Sequence, residues 1–465
     1  MPLSYKTMHK TIKSVPVSSD LLEKVPTKAL DHLPGPKGHW LSGNIHQLTP
    51  NPLPFLRLMG DQFGDCFTVG FLFNRRALMM VGPEANELLL LDPENNFSSR
   101  WGWEVVHPFF GRNILVRDFE DHRLHRKLMT HIFKPQALEI YLDQMYPVIS
   151  EAIDRYDGHI DVYQRTKKMA LDMAIRVFTG ITSEAQLDAW NHDLSLVLSN
   201  VMAARVRLPG TKYWQALKAR DRLRQRLAVE LKNRRGSYGE DLFSKLANLR
   251  DDNDRMLSEQ DVIDHMFGIL FAAHDTTASS LSMIFWLLAE HPGWQTMVRD
   301  ECVKIFEKTG SKNLPYEYLS ELPVIEAIFK ETLRMYAPIQ LIPRRSVAGF
   351  SFQGHEIPAN TWLLLSPQVT HFNPRLYNEP ECFDPARFLD PSNTQTPFSF
   401  VPFGKGSHMC MGMHFAYMEI KAVLYRLLLS STLEQDSDQH LNLQYLPIVR
   451  PLEEMKVRFV PHSAE

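Results

Sequence analysis

Cysteine is scarce in this sequence. Four occur in 465 residues, at positions 66, 302, 382 and 410, with no paired spacing. That argues against a disulfide framework and against a cysteine-rich zinc or iron–sulfur centre, and makes a reducing compartment the default. Residues Met1 to Asp20 hold no apolar run long enough for a membrane span or a signal-peptide core. That leader is basic and carries Ser and Thr, with no acid before Asp20. It resembles a transit segment only in part, because arginine is also missing. No Gly/Ser-rich linker, charge block or internal repeat divides the chain. The expectation is a loosely ordered leader over 1–32 and one domain over 33–465, soluble, cytoplasmic and monomeric. Neither sign of charge dominates, at a net −3 with Lys and Arg dispersed, so there is no nucleic-acid footprint.

Hydrophobic residues make up 44% of the sequence, ample for one large core. Its most informative stretch is Phe403-Gly404-Lys405-Gly406-Ser407-His408-Met409-Cys410-Met411-Gly412, a glycine-rich loop before a helical run from Met413 to Ser430. Gly404 and Gly406 allow a tight turn. A thiol near a helix N-terminus is biased towards thiolate, the donor that favours O–O cleavage when it holds haem iron. A single cysteine is more often a small buried apolar side chain. The surrounding residues tip the balance, because Phe403, Gly406, His408, Cys410 and Gly412 fit the pattern Phe-x-x-Gly-x-(Arg/His)-x-Cys-x-Gly. In this the sequence resembles the cytochrome P450 family. The resemblance implies a mainly α fold with a small β region, haem b ligated by Cys410 with Phe403 beside it, and His408 as a propionate donor.

Further stretches fit in order. Leu33-Pro34-Gly35-Pro36 is turn-rich and resembles the segment that opens the family's fold. Cys66 to Val81 predicts a hairpin with Asn74-Arg75-Arg76 near its turn, and Pro83 starts a helix. Trp101, Trp103, Phe109 and Phe110 lie in an irregular segment that either packs on the body or, by the resemblance, roofs the substrate pocket. His122 and Arg126, four apart, share one helix face. On pattern alone they read as a solvated basic face. The resemblance makes them haem-propionate donors and turns Arg123 and Lys127 outward. Residues 137–235 read as helical. Within them Leu208-Pro209-Gly210-Thr211-Lys212-Tyr213-Trp214 resembles the lid segment of the branch containing retinoic-acid hydroxylases and sterol oxidases.

Ser258 to Glu290 is the longest uninterrupted helical pattern, with only Gly268 inside it. Asp275-Thr276-Thr277 in its apolar middle costs propensity and needs buried partners. The resemblance assigns Asp275 and Thr276 to proton delivery at bound oxygen and places Phe271 and Ala273 at the pocket. Glu331 and Arg334 sit at i, i+3; with Arg387 the resemblance makes them a buried structural trio holding the cysteine loop. Leu341 and Ile342 are candidates for the pocket wall. Arg344 is the candidate for a further propionate arginine, with Arg345 competing.

No flavin or nicotinamide fingerprint is present, so electrons come from an outside ferredoxin, flavodoxin or reductase. Lys405, Lys421, Arg123 and Lys127 are candidates for its docking. The function implied is insertion of one oxygen atom from O2 into a retinoid, terpenoid or sterol-like substrate. Fatty-acid hydroxylation, or a peroxide-driven or isomerising activity, is the alternative.

Overall fold

The computed structural model describes residues 27–462, apart from 50, 73–74, 202, 391, 393–395 and 436–438. Most of the leader, and Asn74 of the expected hairpin turn, therefore lie outside the described residues. The chain divides into two compact units. One contains Trp103–Tyr141 and Ala174–Ala272; the other contains the residues up to Gly102, Leu142–Met173 and those from Ala273 on.

The first unit is helical. Helix Lys212–Arg234 starts after Gly210, whose φ of +87° turns the chain, and Thr211 caps it by accepting from the Trp214 amide. It packs along helix Glu184–Asn200, and each helix turns a leucine-rich stripe inward. Between them Asp193, 1% exposed, is held by Arg222 and Arg226. Fully buried Arg117 joins Asp121 of helix Phe119–Met129 to Asp261 of helix Glu259–Glu290. Gly268 has a packing reason to be glycine, since a Cβ there would lie 2.7 Å from the Asn113 side chain.

The second unit holds the sheets. Cys66–Phe71 pairs antiparallel with Arg75–Met80, which runs parallel to Trp362–Leu365; Ile342–Ser346 and Phe97–Ser98 follow. The hairpin forms as expected. Arg75 and Arg76 lie at the turn end of the hairpin, as strand residues opposite Phe71 and Gly70. Both sheet faces are buried: Leu78, Met80, Leu363 and Leu365 enter one apolar cluster, and Ala77, Met79 and Leu364 another. Helix Pro83–Leu91 starts on its proline as expected.

Strand Gly158–Asp161 interrupts the stretch read as helical. It pairs with Lys456–Pro461, which also pairs with Ser431–Gln435. Four residues carry little periodicity, and the partner strand lies some 300 positions away, so the pairing is a tertiary decision. Helix Met413–Ser430 matches its expected bounds.

Gly102 ends the short helix Ser99–Gly102 directly on strand Ile342–Ser346: a Cβ there would meet the Pro343 carbonyl oxygen at 2.5 Å and the Arg344 Cα at 2.7 Å. Gly102→Ala forces helix and strand apart. It should lower stability by about 1–3 kcal/mol, read as a fall in the thermal midpoint; an unchanged midpoint would mean that this contact yields without cost.

Candidate active site

The loop before helix Met413–Ser430 is set by its own backbone. The Gly404 amide donates to the Val401 carbonyl at 3.0 Å, the Met409 amide to Gly406 at 3.2 Å and the Cys410 amide to Phe403 at 2.9 Å. Gly404 and Gly406 have φ of +68° and +65°, values that L side chains rarely adopt. A Cβ on Gly406 would also overlap the Leu90 carbonyl oxygen. The Phe403 ring rests edge-on against Phe329 at 6.2 Å and tilted against Tyr417 at 5.8 Å. Cys410 is left an accessible, unbridged thiol, whereas Cys66 and Cys302 are buried and burial pushes their thiols up.

Glu331 and Arg334, both 0% exposed, form a two-pronged pair at 2.7 and 2.9 Å, and Arg387 Nε adds a third bond to Glu331 at 3.2 Å. Arg334 spends its other donors on the carbonyls of His371, Pro380 and Cys382, while Glu331 accepts the Asp384 amide. These bonds tie helix Pro323–Tyr336 to the segment 379–387. None of them reaches the cysteine loop directly.

Along helix Glu259–Glu290, the stretch Asp261–Phe267 and the stretch from Thr277 to Ala289 are buried, yet Ala272, Ala273 and Thr276 stay accessible on one face, with Phe271 half-buried beside them. Asp275 is half-buried; its Oδ1 lies 3.0 Å from Nδ1 of fully buried His274, without the alignment of a hydrogen bond. Burial pushes the Asp275 carboxyl up. His274, with Lys167 and Arg450, outweighs this and holds it below the usual carboxylate range.

One buried pair escaped the sequence reading. Thr277 donates to Glu419 of helix Met413–Ser430 at 3.0 Å, and both are buried. The signal was present: Glu419 is an acid inside an apolar helical run, which requires a partner.

Strand alternation sorts the residues near Ile342. Ile342 packs with the cluster containing Leu90 and Val401, whereas Leu341 packs with Phe67, Met79 and Trp362. The two therefore do not share one wall, and only Ile342 lies on the cysteine-loop side. Arg344, two positions on, shares the Ile342 face and is buried. Arg345 faces the other way and donates to the Asn360 carbonyl at 3.2 Å. His408 is half-buried and Trp101 packs under the Arg100 guanidinium. Lys421 is misread as a docking residue: it is 6% exposed and bonds Glu326 at 2.8 Å and the Leu319 carbonyl at 2.9 Å. Lys405 is exposed.

In the helical unit, His122 is buried and Arg126 half-buried on one helix face, while Arg123 and Lys127 point outward. Those two outward charges already have partners, Glu120 and Asp252. Phe109 and Phe110, each 1% exposed, pack against Tyr213 and against Phe267 and Phe271. Each therefore offers almost no accessible surface of its own. Trp103 is half-buried.

The cytochrome P450 family model matches residues 33–459. The chain belongs to the cytochrome P450 family. A Mycobacterium tuberculosis protein named cytochrome P450 136 is 33% identical over 365 residues, 76% of this chain and 73% of its own. The taxane 10-beta-hydroxylase of Taxus cuspidata is 27% identical over 449 residues, 92% of this chain and 90% of its own. A solved cyanobacterial P450 with retinoic acid bound superposes with a TM-score of 0.84 at 27% identity, covering 92% of this chain and 99% of that one. The P450 fold is thus shown, the cofactor is haem b, and the activity is that of a monooxygenase fed by a redox partner. The residues present fit that cofactor: an accessible thiol on a braced loop, and a small-residue face on the long helix. Among the described residues no helix is long and apolar enough to cross a membrane.

Burial pushes the Glu419 carboxyl up to about 8 from 4.5, only partly offset by the Thr277 hydroxyl. The folded P450 therefore keeps a proton that the unfolded chain releases, and this contribution to stability is lost as pH rises through that interval. Glu419→Gln keeps an acceptor for Thr277 and cannot ionise. Its thermal midpoint should track the native protein near about pH 5 and exceed it increasingly towards about pH 9; parallel curves would refute the raised carboxyl.

Proposed function

We propose that Cys410 is the axial haem ligand and that this P450 hydroxylates a bulky lipophilic molecule of terpenoid or retinoid type. The observation that carries the ligand assignment is the accessible Cys410 thiol on a loop whose turn is fixed by Gly404, Gly406 and the Phe403 carbonyl. Haem held through a thiolate supplies oxygen activation. The protein's part is to hold the thiolate, position the haem carboxylates and move protons. Arg344, on the Ile342 face of its strand, and His408 are the carboxylate donors of the unit that holds Cys410. In the helical unit, His122 and Arg126 are a donor pair of the same chemistry.

Asp275 stays ionised beside His274, Lys167 and Arg450, and Thr276 is the hydroxyl next to it on the accessible face. Together they relay protons to that face, Asp275 from its flank and Thr276 on it. In the helical unit Phe271, with Phe110 behind it, offers the substrate a rigid apolar surface, and Trp103 is a further candidate there; in the unit that holds Cys410 the candidates are Ala273, Ile342 and Trp101. The terpenoid or retinoid reading is supported by the relatives' names, a taxane hydroxylase and a P450 with retinoic acid bound, and by the aromatic packing around Phe271.

Titrating the ferric protein with a taxane-like diterpene, retinoic acid, a sterol and a long-chain fatty acid should shift the Soret band to high spin with one of the first three. A response to the fatty acid alone would replace this substrate class. Asp275→Asn should leave that binding shift intact and slow oxygen-dependent turnover by ~10²-fold or more; turnover at the native rate would remove Asp275 from the relay. Lys405→Glu should slow reduction by the electron donor without altering substrate affinity, and an unchanged reduction rate would move the docking surface elsewhere.

A further inference from the structure

The buried Glu331–Arg334 pair makes no hydrogen bond to the cysteine loop, so its influence there needs an intermediary. His371, at the end of helix Pro367–His371, is 0% exposed and touches both. Its carbonyl accepts from Arg334 Nη1 at 3.0 Å, and its imidazole Nε2 accepts the Val401 amide at 3.1 Å. The Val401 carbonyl in turn accepts the Gly404 amide, and the Phe403 carbonyl accepts the Cys410 amide. The bonds thus form one route: Arg334, His371, Val401, the Gly404 turn, Cys410.

We propose that His371 is the positioning residue through which the buried Glu331–Arg334 pair fixes the loop that presents Cys410. This rests on the reading of Cys410 as the haem ligand. A donor at Nε2 requires the proton to be on Nδ1, and Nδ1 is buried without a hydrogen-bond partner among the described residues. The imidazole thus turns its acceptor nitrogen to the Val401 amide, with the Arg334 backbone as its other polar neighbour. Burial first, and then the Arg334 charge, push the imidazole down to about 3, so it remains a neutral acceptor through the working pH range. Other braces reach the same strand of chain but stop short of it. Asn86 holds the Phe398 carbonyl, and Tyr377, whose ring faces Arg334 at 5.3 Å, holds the Ser399 carbonyl at 3.2 Å. Among the described residues, His371 is the side chain that hydrogen-bonds Val401, the residue whose carbonyl closes the Gly404 turn.

The test uses the haem-loaded protein, with carbon monoxide on the reduced form as the probe of thiolate ligation. His371→Leu removes the acceptor and His371→Gln restores one; Tyr377→Phe and Cys410→Ser are the controls. In His371→Leu the thiolate-type absorption should decay about tenfold faster on mild heating, with His371→Gln recovering most of the difference and Tyr377→Phe staying near the native rate. A native decay rate in His371→Leu, or no recovery in His371→Gln, overturns the proposal. Cys410→Ser separates the two readings, because a thiolate-type band retained in that variant would defeat the ligand assignment and not merely the role of His371. If His371→Leu does not accumulate folded, amide exchange in the native holoprotein decides. The Val401, Gly404 and Cys410 amides should share one opening free energy, and independent opening would overturn the proposal.

Discussion

A carboxylate with no exposure to water is the constraint on which the cysteine-bearing unit depends. Glu331 is ionisable, 0% exposed and fixed in a helix, and an isolated charge so placed would be prohibitive. The Arg334 fork, a single bond from Arg387 and a backbone amide answer it. Arg334, itself fully buried, must then satisfy its remaining donors, and it does so on three carbonyls from two separate stretches of chain, at His371 and at Pro380 and Cys382. The expense of burying two charges is thereby turned into geometry: segments with little secondary structure of their own are held at defined distances. Replacing such a pair with apolar side chains can raise stability. Its retention is better explained by what it positions than by what it contributes to the free energy of folding.

The long helix carries the complementary requirement. Most of its length is buried, yet its middle holds His274, Asp275, Thr276 and Thr277 in succession, a sequence that no helix would choose for propensity. The polar groups are distributed by angle. Thr277 turns to Glu419, Asp275 to the side occupied by His274, Lys167 and Arg450, and Thr276 to the accessible face. Successive residues differ by about 100° around the axis, so adjacent positions can serve a structural bond and a chemical role without competing.

Legibility in the sequence followed the range of the interactions. The long helix, helix Met413–Ser430 and the first hairpin were readable because period and punctuation are local. Strand Gly158–Asp161 was not, since its pairing partner lies at the other end of the chain. The motif around Cys410 was legible as a pattern. The roles of its neighbours were legible only in part: Lys421 looks like a surface cation in one dimension and proves to be a buried partner of Glu326, because a long side chain reaches wherever packing takes it. Leu341 and Ile342 looked equivalent and are separated by the side of the strand each faces. His371 offered no signal at all. A histidine that matters through its carbonyl and one ring nitrogen leaves no spacing to read.

In the aromatic segment burial, and not identity, decides how much surface a large side chain offers. Phe109 and Phe110 are so enclosed that neither offers much surface, yet Phe110 lies 4.0 Å from Phe271, whose ring stays half-accessible. A ring supported from behind cannot swing away at the cost of a rotamer change alone, because its neighbour occupies the space it would need. An accessible aromatic backed in this way discriminates by shape more sharply than a free one. Rigid polycyclic or conjugated molecules meet such a surface without loss of their own conformational freedom, whereas a flexible acyl chain must be ordered to match it. The packing that removes Phe110 from the surface is thus in keeping with the stiff terpenoid or retinoid substrate proposed for this protein.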